Sequence, residues 1–147
     1  MHSPNSSLFL SRGARFCLIA CGLAGLTMVF VFQQSGLFIA PFISKADNPN
    51  IYFSVNRTLR VLLNDVSMLL LIAGWFNSKP VIKLAVAIQI VDLLVLLPLY
   101  LSLKLSIEGD TEISSPLLSQ LHRLIVNPTL MILLIPAVYF QRLTNKE

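Results

Sequence analysis

FCLIACGLAGLTMVFVF, residues 16–32, runs for seventeen positions without a charge. At a rise of 1.5 Å per residue, a bilayer core of about 30 Å needs about 20 mostly apolar residues to cross it, and Gln33 and Gln34 lengthen the run without charging it. Three further stretches read the same way: 61–76, interrupted by Asn64 and Asp65; 81–103, with Lys83, Gln89 and Asp92 inside it; and 124–140, with Asn127, Pro128 and Pro136. The only Trp and the three Tyr fall at the ends of such segments, as Tyr52, Trp75, Tyr100 and Tyr139, the placing of an interfacial aromatic belt. The expected fold is therefore an all-α membrane protein. It is a single domain of four transmembrane helices, at about 14–35, 57–77, 80–104 and 121–141.

Composition agrees. Of 147 residues, 55% are hydrophobic and 12% charged, about half the roughly 25% charge of soluble domains, and the mean hydropathy is +0.76. A soluble domain of this size has no core large enough to hide that apolar surface, which excludes an ordinary cytosolic enzyme and a disordered chain. The formal charge of +4 comes from 11 Lys and Arg spread singly between apolar runs, so no nucleic acid partner is implied. Cys17 and Cys21, four apart on one helix, are expected as small packing residues and not as a disulfide or metal pair. The flank Ser11–Arg15 would serve as the basic region of a signal peptide. The apolar run exceeds the usual signal core, however, and Gln33-Gln34 is a poor cleavage context, so an uncleaved helix is expected.

Four spans put both termini on one side. That side carries Arg12, Arg15, Lys79, Lys83, Arg142 and Lys146, against Lys45, Arg57, Arg60, Lys104 and Arg123 opposite. With Arg12 and Arg15 ahead of the first helix, the positive-inside rule puts both termini in the cytoplasm. The segments 33–56 and 104–122 then face outward, and their Pro, Ser, Asn and Gly read as irregular loop.

An offset of 63 residues lays Arg60 on Arg123, Asn64 on Asn127 and Met68 on Met131. Leucines match cheaply in so apolar a chain, whereas an Arg-x-x-x-Asn pair does not. The simplest arrangement is two parallel-repeat helical hairpins related by an axis along the membrane normal; coincidence among Leu-rich helices is the alternative. Arg57, Arg60 and Asn64 form one stripe on their helix, with Asp65 about 100° away. Asp92 lies near mid-bilayer, where a charge costs about 2.5–3.5 kcal/mol, so it must face the bundle interior. In the functional reading, Arg60, Arg123, Asn64 and Asn127 face one cleft, with the two arginines within about 12 Å and able to grip one carboxylate or phosphate. In the structural reading the same groups are interhelical hydrogen bonds, with arginines reaching to headgroups. The candidate binding residues are thus Arg57, Arg60, Asn64, Asp65, Asp92, Arg123 and Asn127.

No phosphate-binding glycine loop, dinucleotide fingerprint or His-Glu-x-x-His is present. His2 and His122 are the only histidines, so no metal and no cofactor is expected. A Cys-His-Arg transpeptidase set fails on distance, because Cys17 and Cys21 lie most of a bilayer from His122.

The stretch 56–65, NRTLRVLLND, the stretch 122–128, HRLIVNP, and the ending 133–141, LLIPAVYFQ, resemble the small membrane proteins of Bacteroidetes encoded beside exosortase F, or a sibling exosortase-associated family. The resemblance covers the length, the four-helix layout and two of the helices. It implies a multi-pass protein of the bacterial inner membrane, a non-enzymatic accessory of a protein-sorting transpeptidase that binds the enzyme or its substrate among membrane lipids. It implies no catalytic residues. The residues themselves leave two other functions open: a small transporter or ion-conducting protein using Asp65 and Asp92, and a membrane enzyme acting through the Arg/Asn cluster.

Overall fold

The computed structural model of the protein describes residues 10–32, 48–109 and 115–144, apart from the side chains at 142 and 143. Helix α1 is Arg12–Phe32, α2 is Pro49–Phe76, and α3 is Lys79–Val91. A π-helical segment, Asp92–Leu96, joins α3 to α4, Leu97–Ile107; α5 is Pro116–Val126 and α6 is Thr129–Thr144. Three helical stretches, 12–32, 49–76 and 79–107, are long and apolar enough to cross a membrane. A fourth exists if α5 and α6, bent by 62°, make one span. The expected helix over 33–35, most of the first long loop and the acids Asp47, Asp110 and Glu112 lie outside the described residues.

Prolines set these boundaries. Pro49, Pro80 and Pro116 each stand in the first helical positions, where the missing N–H is not needed and the fixed φ suits a helix. The reading of 33–56 and 104–122 as irregular is therefore corrected for residues 49–56, 104–107 and 116–122, which are helical. Two prolines there are helix starts, not loop signals. Pro98 acts differently. Lacking an N–H and bulky toward the preceding turn, it stands two residues past the end of the π segment, next to Leu97, whose N–H donates to the Asp92 carbonyl five residues back. Pro128 breaks its helix outright. Asn127 before it is extended, φ −89° and ψ 144°, as a residue preceding proline must be. Pro136 stays inside α6.

Helices α1 and α2 pack antiparallel with their backbones close. A Cβ on Gly22 would lie 2.7 Å from the Ser67 carbonyl oxygen, and one on Gly74 would lie 2.8 Å from that of Arg15. In hydrocarbon, where apolar burial gives no net drive, such close contact is what holds helices together. The cysteines take no part: Cys17 and Cys21 are exposed on α1, which corrects their reading as packing residues. The Arg15 guanidinium lies across the end of α2, donating from Nε to the Gly74 carbonyl (3.0 Å) and from Nη2 to that of Trp75 (2.9 Å). These are orphan carbonyls at the negative end of the helix dipole.

The remaining core is in two layers. One comprises Met68, Ile72 and Phe76 of α2, Val81 and Ala85 of α3, and Met131, Leu134 and Val138 of α6. The other comprises Val61 of α2, Leu97 and Tyr100 of α4, and Ile125 and Val126 of α5. Asn64, Asp65, Asp92 and Asn127 fall between the two layers in sequence, at the π segment and the α5–α6 break. Met68 and Met131, matched by the 63-residue offset, belong to the first layer. Asn64 and Asn127 differ in local backbone: Asn64 is within continuous α2, whereas Asn127 is at the break.

Candidate binding site

The break between α5 and α6 frees backbone carbonyls inside the bundle. Unpaired, each would cost a large part of a hydrogen bond. The Asn64 amide donates to the Val126 carbonyl at 2.8 Å, and the Thr129 hydroxyl donates to that of Arg123 at 3.1 Å. Beside this repair is a cavity of about 220 Å³. It is lined by Leu26, Val29 and Phe30 of α1, Arg60 and Asn64 of α2, and Asn127 and Pro128 of the break. It is smaller than the roughly 300–1,000 Å³ of sites for drug-sized ligands, and suits one small polar group. Its wall offers a guanidinium and two amides on an apolar ground.

Toward the start of α2 the polar groups continue. The Arg57 guanidinium is 5.2 Å from the centroid of the Phe53 ring, and Lys104 Nζ is 5.8 Å from the same centroid. Cations favour an aromatic face. Lys104 is fully buried and pairs with Glu108 at 3.0 Å; its ammonium also donates to the Gly109 carbonyl at 3.3 Å. The other Glu108 oxygen accepts the Ser115 N–H at 2.8 Å, tying the end of α4 to the start of α5. Tyr100 is wholly buried, and its hydroxyl meets His122 Nδ1 at 2.9 Å. It is thus a core residue and not part of an aromatic belt, while Trp75 and Tyr139 are exposed. Arg57, Arg60, Lys104 and Arg123 all act electrostatically on the His122 ring. This end of the bundle is strongly cationic among the described residues.

Of the residues predicted from sequence, Arg60, Asn64 and Asn127 line one cavity, and Arg57 lies next to it at the cationic end. Arg123 is exposed and is not among the residues lining this cavity, which holds Arg60 alone of the two arginines. Asp65 and Asp92 are buried elsewhere, between α2 and the π segment. The sequence reading missed Phe53, Tyr100, Lys104 and Glu108. The Lys104–Glu108 spacing of four was the available signal, hidden because both were assigned to a loop. The chain matches no family model, no characterised protein and no solved structure.

Proposed function

We propose that this chain is a non-enzymatic membrane accessory protein whose cavity at Arg60, Asn64 and Asn127 holds a carboxylate or similar polar group presented by a membrane partner. The cavity wall carries the reading. It supplies a guanidinium and the Asn127 amide, donors suited to an anion, among otherwise apolar or backbone-engaged side chains of the described residues. The resemblance of 56–65 and 133–141 to exosortase-associated proteins suggests the partner: an exosortase-type sorting enzyme, or its substrate, in a bacterial inner membrane. Both termini are then cytoplasmic.

Co-expression with such an enzyme and joint purification in mild detergent tests the proposal. The pair should co-elute with the wild-type chain and separate with Arg60→Lys, because a point charge does not replace the two-pronged guanidinium. Absence of any complex with wild type would overturn the accessory role. For the orientation, a cysteine placed at Thr111 in a Cys17/Cys21-free chain should label from outside; labelling only from the cytoplasm would reverse it. The runner-up, a small ion-conducting or transport protein, draws on the buried Asp65 and Asp92. Ion flux into proteoliposomes that disappears in Asp92→Asn would favour it.

A further inference from the structure

Asp65 is one residue, about 100°, further round α2 than Asn64, and turns away from the cavity toward α3. The Gln89 amide donates to the Asp65 backbone carbonyl, and the carboxylates of Asp65 and Asp92 interact electrostatically. Asp65 is 2% exposed and Asp92 is 4% exposed. Each keeps one carboxyl oxygen, Oδ2 of Asp65 and Oδ1 of Asp92, without a hydrogen-bond partner.

Among the described residues, the charges around the pair do not balance it. On α1, Arg15 is occupied at the far end of α2, and Lys79 and Lys83 are exposed at the start of α3. Arg57, Arg60, Lys104, Glu108, His122 and Arg123 gather around Tyr100 and His122 at the other end. From α6, Tyr139 is exposed. None of these cations acts on Asp65 or Asp92. Two neighbouring carboxylates in a low-dielectric interior repel each other strongly and each loses its hydration. An ionised carboxylate only accepts hydrogen bonds, while a protonated one also donates. What each unpartnered oxygen lacks is a donor, which a bound proton supplies.

A metal ion fits less well. Hard cations take about six to eight oxygen ligands, and no group of three or more metal-binding side chains occurs among the described residues.

We propose that Asp65 and Asp92 form a proton-binding site in the bundle interior, joining α2 to the π segment that opens at Asp92. The inference stands whether or not the protein serves a sorting enzyme. Uptake is simple association: a carboxylate gains a proton and its negative charge is lost. Release restores the negative charge between α2 and the π segment and weakens their packing. The π turn is where the helix yields, because its backbone ladder is already irregular. Proton binding to the packed form therefore stabilises it.

Infrared spectroscopy of the full chain in phosphatidylcholine nanodiscs tests this. At pH 7 the wild-type chain should show the C=O stretch of a protonated carboxyl. The stretch should be lost at alkaline pH and absent from the Asp65→Asn/Asp92→Asn double variant, with helicity by circular dichroism retained. Exchanging sodium for potassium or choline should leave it unchanged. No such stretch at pH 7, an undiminished stretch in the double variant, or its loss on adding sodium would each overturn the proposal. Should the double variant misfold, a hydrophobic carbodiimide, which adds to protonated carboxyls, is applied to the wild-type chain and its adducts are mapped by mass spectrometry. Adducts at Asp65 or Asp92 are expected; adducts only elsewhere, or none, overturn the site.

Discussion

Gly22→Ala adds one methyl group where α1 meets α2. The new Cβ would lie 2.7 Å from the Ser67 carbonyl oxygen and 3.0 Å from the Leu71 nitrogen. Both are backbone atoms and neither can swing aside. Reaching ordinary contact requires the helices to part by roughly 0.7 Å at this point, and a gap of that order forfeits a quarter to a half of the dispersion energy of every pair it opens. Overpacking of this kind costs about 1–3 kcal/mol, a shift of roughly 5- to 150-fold in the packing equilibrium. Alanine also favours helix over glycine by up to about 1 kcal/mol, so the reference is Gly13→Ala, where a Cβ meets nothing within 4 Å. Unfolding by increasing mole fraction of sodium dodecyl sulfate, followed by circular dichroism, measures both variants. Gly13→Ala should match or exceed wild type, and Gly22→Ala should fall below Gly13→Ala by the full amount. The double variant Gly22→Ala/Gly74→Ala should lose less than the sum of its parts, because the first substitution already separates the shared interface. Equal stability of Gly22→Ala and Gly13→Ala would refute the close α1–α2 contact.

Arg15→Met removes both donors from the end of α2. At this partly exposed position it should cost about 1 kcal/mol, read in the same titration, and speed amide exchange in the last turn of α2. Asn64→Leu keeps volume but strands the Val126 carbonyl; a loss of about 1–2 kcal/mol is expected, with faster exchange confined to the α5–α6 break. Lys104→Met leaves buried Glu108 without its ammonium and should cost about 3–5 kcal/mol, most of it recovered by adding Glu108→Gln. A double variant no better than the single would show that the pair is not the source of the loss.

Element type was legible because seventeen charge-free residues have one economical arrangement in lipid. Boundaries were less so, since proline carries opposite meanings: Pro49 and Pro116 begin helices, Pro128 ends one and Pro98 follows a π turn, and the choice depends on what the neighbouring backbone bonds to. Asn64 and Asn127 were legible as a pair because polar residues are scarce here. The partner of Asn64 was not, because the Val126 carbonyl becomes available only after Pro128 breaks the helix. Lys104 and Tyr100 were misplaced for a common reason. Each lies near a segment end, where composition alone suggests water or headgroups, yet each is buried against a neighbour brought in by the fold: Tyr100 by His122, and Lys104 by Glu108 and the Phe53 ring.

The two backbone irregularities and the polar residues share one origin. Pro98 and Pro128 each disturb a helix between the two apolar core layers, and backbone groups freed there have no water to turn to. Asn64 satisfies Val126 at the break, whereas the Gln89 amide donates to the Asp65 carbonyl within continuous α2. Asn64 is therefore accounted for by backbone repair, and its presence alone is no argument for a ligand. The same reasoning does not account for Asn127 on the cavity wall, nor for the oxygens of Asp65 and Asp92 that lack a hydrogen-bond partner. Backbone repair gains nothing from two buried acids. Substitutions at Asn64 and Gln89 should thus act on stability first, while Arg60→Lys and Asp92→Asn should separate binding and proton uptake from folding.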